Sequence, residues 1–158
     1  MAWLGLVAGA FVIGGVAVKL LWRPLRSFGQ EVQIERARES FALQRERLEA
    51  QFFTAAAATG KPRGLRWKKC DFDGTPEYAR DKHSGQIIAL LPATIQFEAV
   101  EGGDMEGLPA VGNLRNASAV FFFERGQWQT VGKAVFNMNP AEALAHFHHQ
   151  YERVTGEH

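Results

Sequence analysis

Two aspartates one residue apart are the first candidates for chemistry in this sequence. Asp71 and Asp73 belong to the run DFDGT. A carboxylate pair at this spacing can supply a nucleophile and a general acid or base. The same residues are typical of a turn, because aspartate side chains accept hydrogen bonds from nearby backbone amides and glycine relaxes the backbone. Both interpretations stay open at this point.

The DFDGT run resembles the first motif of the haloacid dehalogenase-like phosphatases, Asp-x-Asp-Gly-Thr. The resemblance implies that Asp71 attacks phosphorus, that Asp73 protonates the leaving group, and that a magnesium ion lies beside them. In that family the motif ends a buried strand of a parallel sheet, whereas the residues before Asp71 read RWKKC and are basic and half polar. We therefore expect a turn and no catalytic residue. A membrane-tethered, magnesium-dependent phosphohydrolase that uses Asp71 and Asp73 is the alternative function.

The C-terminal histidines are the second candidate group. Histidine and glutamate three or four residues apart on a helix can share a metal ion, and His146, His149 and Glu152 have this spacing. A histidine run on the protein surface fits the same residues, so we expect no metal site and no cofactor. Acidic residues around Gly102 offer oxygen ligands but lack the spacing of a known calcium loop. They are Glu98, Glu101, Asp104 and Glu106.

The bulk composition excludes several classes of protein. The chain of 158 residues suffices for one domain with appendages, and its net charge of +1 argues against a nucleic-acid partner. The single cysteine, Cys70, excludes an intrachain disulfide framework. A basic cluster around Trp67 could attract anionic lipid or nucleic acid, but it also fits a linker and an exposed edge strand, where lysines deter unwanted pairing. Its members are Lys61, Arg63, Arg66, Lys68 and Lys69.

The N-terminal segment is predicted to anchor the chain in a membrane. Met1–Val18 contains no charged side chain, and a helix from Trp3 to Trp22 would span roughly 30 Å, the thickness of a hydrocarbon core. The two tryptophans would lie at the two interfaces, and Lys19 could extend its ammonium group to the headgroups. A cleaved signal peptide needs a basic start and a small-residue cleavage site, which this segment lacks. We therefore predict an uncleaved, single-pass signal anchor.

Charges around the anchor, residues 1–23, set its predicted orientation. Lys19, Arg23 and Arg26 follow the apolar run and no basic residue precedes it, so the N-terminus should lie outside and the C-terminal domain in the cytoplasm. Small residues four positions apart would let two such helices approach closely. They are Gly5 with Gly9 and Ala10 with Gly14. The lipid bilayer is thus one predicted partner, and a second copy of the chain is another.

A helical stalk is predicted over residues 24–60. Pro24 can occupy the first turn of a helix, and from Ser27 to Thr59 good helix formers dominate without a proline. Apolar residues recur every seven positions, with two more near the complementary position. They are Ile34, Phe41, Leu48 and Ala55, then Ala37 and Phe52. Because Gln44 and Gln51 interrupt the repeat, this stripe could cover the following domain or pair with another copy as a coiled coil.

Residues 61–158 are predicted to form a soluble α+β domain. Glycine and proline in the run GKPRG end the stalk, and apolar residues then alternate with polar ones, as in half-buried strands. The predicted strands are Arg66–Phe72, Tyr78–Asp81, Gln86–Val100, Ala117–Glu124 and Trp128–Phe136. Pro92 should bend or bulge the third, because proline cannot donate to a ladder. Arg125-Gly126-Gln127 should form the turn of a hairpin.

The last predicted element is a helix that covers this sheet. Asn139 is placed as its N-cap, with proline at the next position and Glu142 at the third helical position. One apolar face follows, made of Leu144, Phe147, Tyr151 and Val154. We therefore expect an antiparallel sheet of about four to five strands with this helix on one face. The favoured function is a non-catalytic interaction domain, either an accessory subunit or a scaffold of a membrane complex.

Overall fold

The computed structural model describes the backbone of residues 3–59 and 63–154 and the side chains of residues 29–59 and 63–154. Within that part of the chain the fold is α+β, with one long helix, α1 (Trp3–Thr59), and an antiparallel sheet of seven strands. The strands are β1 (Leu65–Phe72), β2 (Glu77–Asp81), β3 (Ile87–Ala99), β4 (Arg115–Glu124), β5 (Gln127–Gln129), β6 (Ala134–Phe136) and β7 (Tyr151–Arg153). A short helix, α2 (Pro140–His146), precedes β7. Residues 1–36 and 37–158 form two compact units.

β3 lies at the centre of the sheet. One of its edges pairs with β4, and its other edge pairs with β2 and then with β1, which follow each other end to end. In the same way β5 and β6 follow each other along the outer edge of β4, and β7 pairs with β2. The sheet therefore contains more strands than the four or five predicted, because the predicted strand Trp128–Phe136 is divided into β5 and β6, and β7 adds one more.

The break between β1 and β2 lies opposite Pro92. β2 pairs with Ile87–Leu90 and β1 resumes at Ala93, while the Pro92 carbonyl accepts a hydrogen bond from the backbone N–H of Asp73 at 3.2 Å. In an antiparallel strand the backbone N and C=O of one residue point to the same side. The nitrogen of Pro92, which carries no hydrogen to donate, therefore also points into this break. The bulge itself lies in β1, between Trp67 and Lys69. The sheet accommodates Pro92 by interrupting the neighbouring strand.

The second part of α1 covers one face of the sheet. The apolar stripe of the helix is buried, and its members are Ala37, Phe41, Leu48, Phe52 and Ala56. The Phe41 ring packs edge-on against Phe121 and Trp128, with ring centroids 5.3 and 5.1 Å away. The Trp128 Nε1–H donates to the carbonyl of Ala37 at 2.7 Å. Of the two roles left open by the sequence, the stripe therefore covers its own domain.

Gly132 explains why the predicted strand Trp128–Phe136 divides into β5 and β6. Its φ is +75°, and a Cβ atom at this position would lie 2.2 Å from the backbone N of Ala56. Because even the smallest side chain would collide with the backbone of α1, the loop between β5 and β6 can reach the helix only with glycine. This contact fits the sequence pattern, since alanines at positions 55 and 56 let the helix approach closely.

α2 lies against the opposite face of the sheet, where it buries a smaller core. Ala143 and Leu144 pack there with Ala79, Ile88 and Leu90. The predicted capping box is present, because the Asn139 side chain accepts from the Glu142 N–H and the Glu142 carboxylate accepts from the Asn139 N–H, both at 2.9 Å. The N-terminal boundary of this helix was therefore predicted correctly.

The length of this C-terminal helix was predicted wrongly. α2 ends at His146, Phe147 is its C-cap and remains 37% exposed, and Tyr151 lies in β7. β7 gains backbone hydrogen bonds from β2, with Asp81 opposite Tyr151. Apolar residues three and four positions apart fit a helix, but the same segment can instead form a strand that pairs with an open sheet edge. Strand pairing prevails here.

Candidate functional site

A polar cleft of about 650 Å³ lies on the α2 side of the sheet, beyond the first turn of α2. Residues from five segments of the chain line it. They include Asp73, Pro92, Thr94, Asn113, Arg115, Asn116, Asn137, Asn139 and Glu142. Polar side chains dominate this lining, whereas the neighbouring part of the same sheet face is the apolar core under α2. Ligand sites are concave and few per protein, so this cleft is the leading candidate for binding.

The floor of the cleft is a polar row that crosses neighbouring strands. Thr94 of β3 lies directly opposite Asn116 of β4, and side chains paired in this way share one face of the sheet. The carbonyl of Asn116 accepts a hydrogen bond from the backbone N–H of Asn137 at 2.8 Å. The Cβ atoms that carry this hydroxyl and this carboxamide therefore stand about 5 Å apart across the sheet.

The wall next to α2 is held by the capping box. The Asn139 Oδ1 and one oxygen of Glu142 are used in its two hydrogen bonds, which leaves the Asn139 amide nitrogen and the other carboxylate oxygen as unused polar groups. Asn137 adopts a positive φ of 60°, a conformation that asparagine tolerates better than most residues. These contacts fix the backbone that carries three of the lining side chains.

Arg115 and Asp73 are the two charged residues along the cleft that the capping box does not use. Ion pairs within the described side chains join Arg45 to Glu49, Arg66 to Glu98, Lys69 to Asp71 and Arg153 to Glu77. Arg115 and Asp73 belong to none of these four pairs. Asp73 is exposed at the cleft, and its carboxylate remains able to meet a positive charge of a bound molecule. Arg115 lies opposite Ile95, so its side chain leaves β4 on the sheet face opposite to that of Thr94 and Asn116.

The two aspartates of the DFDGT run are placed differently. Asp71 is exposed on β1, and its carboxylate lies 2.7 Å from the Lys69 ammonium. Asp73 lines the cleft just after β1. β1 pairs antiparallel with β3, so the strand before the motif is not the buried parallel strand of the phosphatases. Gly74, with φ +68°, begins the connection to β2, and its carbonyl accepts from Arg45 at 2.9 Å.

The candidate metal ligands do not share a helix face. His146 ends α2, His149 lies in the following turn, and Glu152 is exposed in β7. The rings of His148 and His149 lie 3.8 Å apart, and His148 Nδ1 lies 3.0 Å from the carbonyl of Ala145. Within residues 29–59 and 63–154, no three His, Cys, Asp or Glu side chains form a group that could hold a metal ion.

The lone cysteine is an unreactive thiol. Burial, together with the negative charges of Asp71 and Glu49, raises the pKa of Cys70 to about 12. The nucleophilic and metal-binding form of cysteine is the thiolate. Cys70 therefore remains a protonated thiol at neutral pH.

Part of the basic cluster lies on an exposed edge. Arg66, Lys68 and Lys69 are exposed on β1, where Arg66 pairs with Glu98 at 2.6 Å. This position agrees with the edge-strand interpretation, and charged side chains at such an edge oppose strand-to-strand aggregation.

The side chains assigned to the membrane anchor lie outside those that the structure describes. They are Trp3, Gly5, Gly9, Gly14, Lys19 and Trp22. In the described part of the chain, no helix has both the length and the apolar character needed to cross a bilayer. The anchor and its orientation therefore remain predictions from the sequence.

Sequence reasoning missed most of the cleft. Asn139 and Glu142 were assigned only to a helix cap, and Asn113, Arg115 and Asn116 fell between two predicted strands. The usable signal was composition, since the runs GNLRNAS and NMNP are rich in asparagine. Only the pairing of β4 with β3 and the position of α2 bring these two runs together.

No protein family, curated protein or solved structure was found to match this chain. The function must therefore be argued from its own residues. The two structural features available for that argument are the helix stripe built into the core and the polar cleft.

Proposed function

We propose that this chain is a single-pass membrane protein whose small domain is a non-catalytic accessory subunit or scaffold of a membrane complex. The N-terminus would lie outside and the domain in the cytoplasm. Two features support this proposal. The sequence begins with the uncharged run Met1–Val18 followed by basic residues, and the domain contains helical residues that come soon after that run.

The observation that carries the proposal is the burial of Phe41, Leu48 and Phe52 in the core. A flexible stalk would let the domain move far from an anchor, but here the domain already begins at Ala37. Even fully extended, the chain between Lys19 and Ala37 reaches roughly 60 Å at most. An anchored N-terminus would therefore hold the domain close to the membrane, where a subunit of a membrane complex must act.

An accessory role is favoured over catalysis by the state of the candidate nucleophiles. A catalytic nucleophile needs an adjacent base or a lowered pKa. The pKa of Cys70 is raised to about 12, and Asp71 pairs with Lys69 on an exposed strand. Neither group has the environment of an activated nucleophile.

Extraction of membranes with alkaline carbonate tests the anchor. The full chain should stay in the membrane pellet, and protease added outside intact cells should leave the domain uncut. A variant with Ile13→Arg and Val16→Asp is the control, because each charge at the centre of a membrane helix costs about 2.5–3.5 kcal/mol. This variant should move to the soluble fraction. Release of the wild-type chain by carbonate would contradict the proposal.

Purification from detergent-solubilised membranes tests the accessory role. At its native expression level the full chain should elute with a second protein at a fixed ratio, as subunits of a complex do. Light scattering of the purified material gives the mass of the assembly. Elution of the chain as an isolated monomer from every detergent tried would contradict the accessory role. Only the proposed membrane anchor would then remain.

The alternative function is a magnesium-dependent phosphohydrolase that uses Asp71 and Asp73. Magnesium requires several oxygen ligands that converge on one point. The described side chains contain no group of three that could hold a metal ion, and Asp71 is engaged by Lys69, so these residues do not fit the ion. We expect no release of phosphate from p-nitrophenyl phosphate with magnesium. Release by the wild type that is absent in Asp71→Asn would establish the alternative.

A further inference from the structure

A second, apolar cavity of about 50 Å³ lies on the same face of the sheet as α2 and shares no lining residue with the polar cleft. Its floor is formed by Ile88 and Leu90 of β3 and by Val120 of β4, which lies directly opposite Leu90. α2 contains only seven residues, and Phe147 at its end lines the cavity while it remains 37% exposed. The short helix therefore leaves an unfilled apolar site at the surface.

Lys133 places one positive charge at the rim of this cavity. The backbone N–H of Val120 donates to the carbonyl of Lys133 at 2.9 Å, and the next pair along the two strands is Ala119 with Ala134. Lys133 is therefore opposite Val120, and its side chain leaves the sheet on the face that carries the cavity. The residue lines the cavity and is nevertheless exposed, so its aliphatic stem borders the cavity while its ammonium group lies in water at the rim.

The lining contains no negative charge that would neutralise this ammonium group. Lys133 belongs to none of the four ion pairs named above, and none of the nine residues that line the cavity in the described part of the chain is acidic. The Asp81 carboxylate contacts one of them, through a hydrogen bond from Gln150 Nε2 at 3.2 Å, but it also accepts from the backbone N–H groups of His83 and Ser84. The cavity is thus apolar inside and positive at its rim, which favours a ligand with an apolar end and an anionic group.

The volume of the cavity limits the apolar end of such a ligand. Benzene is bound by an apolar cavity of about 150 Å³, whereas this one measures about 50 Å³. A water molecule takes up about 30 Å³ of the liquid, and a methyl group is of similar size, so the cavity holds about two methyl groups. An isopropyl group fits this space, and an aromatic ring or a long acyl chain exceeds it.

We infer that the cavity binds a short, branched aliphatic carboxylate, with its isopropyl end against Ile88, Leu90 and Val120 and its carboxylate beside the ammonium group of Lys133. The simplest molecule of this class is 3-methylbutanoate, in which one methylene group joins the two ends. This inference goes beyond the proposed role at the membrane and does not depend on it. A chain that failed the carbonate extraction would still be expected to bind the carboxylate.

Titration of the full chain in detergent micelles with 3-methylbutanoate tests the inference. Methyl signals of Ile88, Leu90 and Val120 in the carbon-13 NMR spectrum should shift together and saturate, with a Kd of about 1–10 mM for a ligand of this size. Butanoate lacks one methyl group and should bind about fourfold more weakly, because each buried methyl group contributes about that factor. The uncharged 3-methylbutanamide should bind about fivefold more weakly, which is the value of a good ion pair at an exposed position.

Variants assign each end of the ligand to its residue. In Lys133→Gln the carboxylate and the amide should bind equally, because the charge that distinguishes them is removed. Val120→Ile adds a methyl group to the floor, so it should weaken the binding of 3-methylbutanoate about fourfold or more. Lys68→Gln and Val131→Ile make the same changes at exposed positions that do not line the cavity, and they should bind as the wild type does. Urea denaturation of each variant separates a loss of the site from a loss of the fold.

Three results would overturn the inference. The first is an absence of saturable methyl shifts at about 50 mM 3-methylbutanoate, which means an affinity too weak to be specific. The second is equal binding of the carboxylate and the amide to the wild type, which would show that Lys133 does not take part. The third is unchanged binding in a folded Val120→Ile variant, which would place the ligand outside the cavity.

Discussion

Replacement of Phe52 by alanine is the most informative perturbation of this fold. Phe52 is fully buried on α1, and its ring lies 5.6 Å from that of Phe72 and 5.7 Å from that of Phe121. Truncation of a buried phenylalanine costs about 3–5 kcal/mol, and the better helix propensity of alanine returns only about 0.5 kcal/mol. Because a small domain has about 5–15 kcal/mol of stability, Phe52→Ala should remove a large share of it.

Phe147→Ala is the matched control for this perturbation. It removes the same atoms, but Phe147 is 37% exposed at the end of α2, so it should cost only about 1–2 kcal/mol. Urea denaturation of the full chain in detergent, followed by near-ultraviolet circular dichroism, measures both changes. A Phe52→Ala variant as stable as the wild type, or a Phe147→Ala variant as unstable as Phe52→Ala, would show that the helix stripe is not the core.

Three further changes probe other contacts. Gly132→Ala should destabilise the domain by about 2 kcal/mol or more, since it strains a positive φ and its Cβ would meet the backbone of Ala56; the denaturation midpoint measures this. The pKa of Asp81 is lowered from 3.8 to about 2, chiefly by the hydrogen bond from the Ser84 N–H, so its charged form stabilises the fold above pH 3.8. That contribution is lost as the pH falls towards 2, and stability should fall less steeply across this window in Asp81→Asn. Cys70 is half-buried and its pKa is raised to about 12, so it should react with a disulfide reagent at pH 8 much more slowly in the folded chain than in the unfolded chain, and equal labelling rates would contradict the raised pKa.

The sequence predicted which face of α1 is apolar but not what covers it. Phe41, Leu48 and Phe52 recur at helical spacing, and a period identifies a face without identifying its partner. The partner is the sheet, through Phe121 and Trp128. These two aromatic residues were placed in predicted strands without a link to the helix, because the contact joins segments far apart in the chain.

The C-terminal region shows where local patterns mislead. The cap at Asn139 and Glu142 is a local interaction and was predicted correctly. The end of the helix was not, because Tyr151 fits both a helical stripe and a strand, and the open edge of β2 decides between them. Gly132 likewise looks neutral in the sequence, and only the approach of α1 reveals why glycine stands there.

The cleft could not be predicted, because its residues come from segments that are far apart in the chain. Asp73 drew attention through its motif, yet the residues that it faces come from the start of β4 and from the segment before α2. No local spacing connects these segments. The antiparallel register of β3 with β4 places them side by side.

Hydrogen exchange of the full chain shows whether residues 37–56 of α1 belong to the core of the domain. Backbone amides from Phe41 to Phe52 should exchange as slowly as those of β3, because both would open only with global unfolding. The exposed loop around Gly102 should exchange far faster and serves as the internal reference. Exchange of the Phe41–Phe52 amides at rates close to those of this loop, while β3 remains protected, would contradict the account.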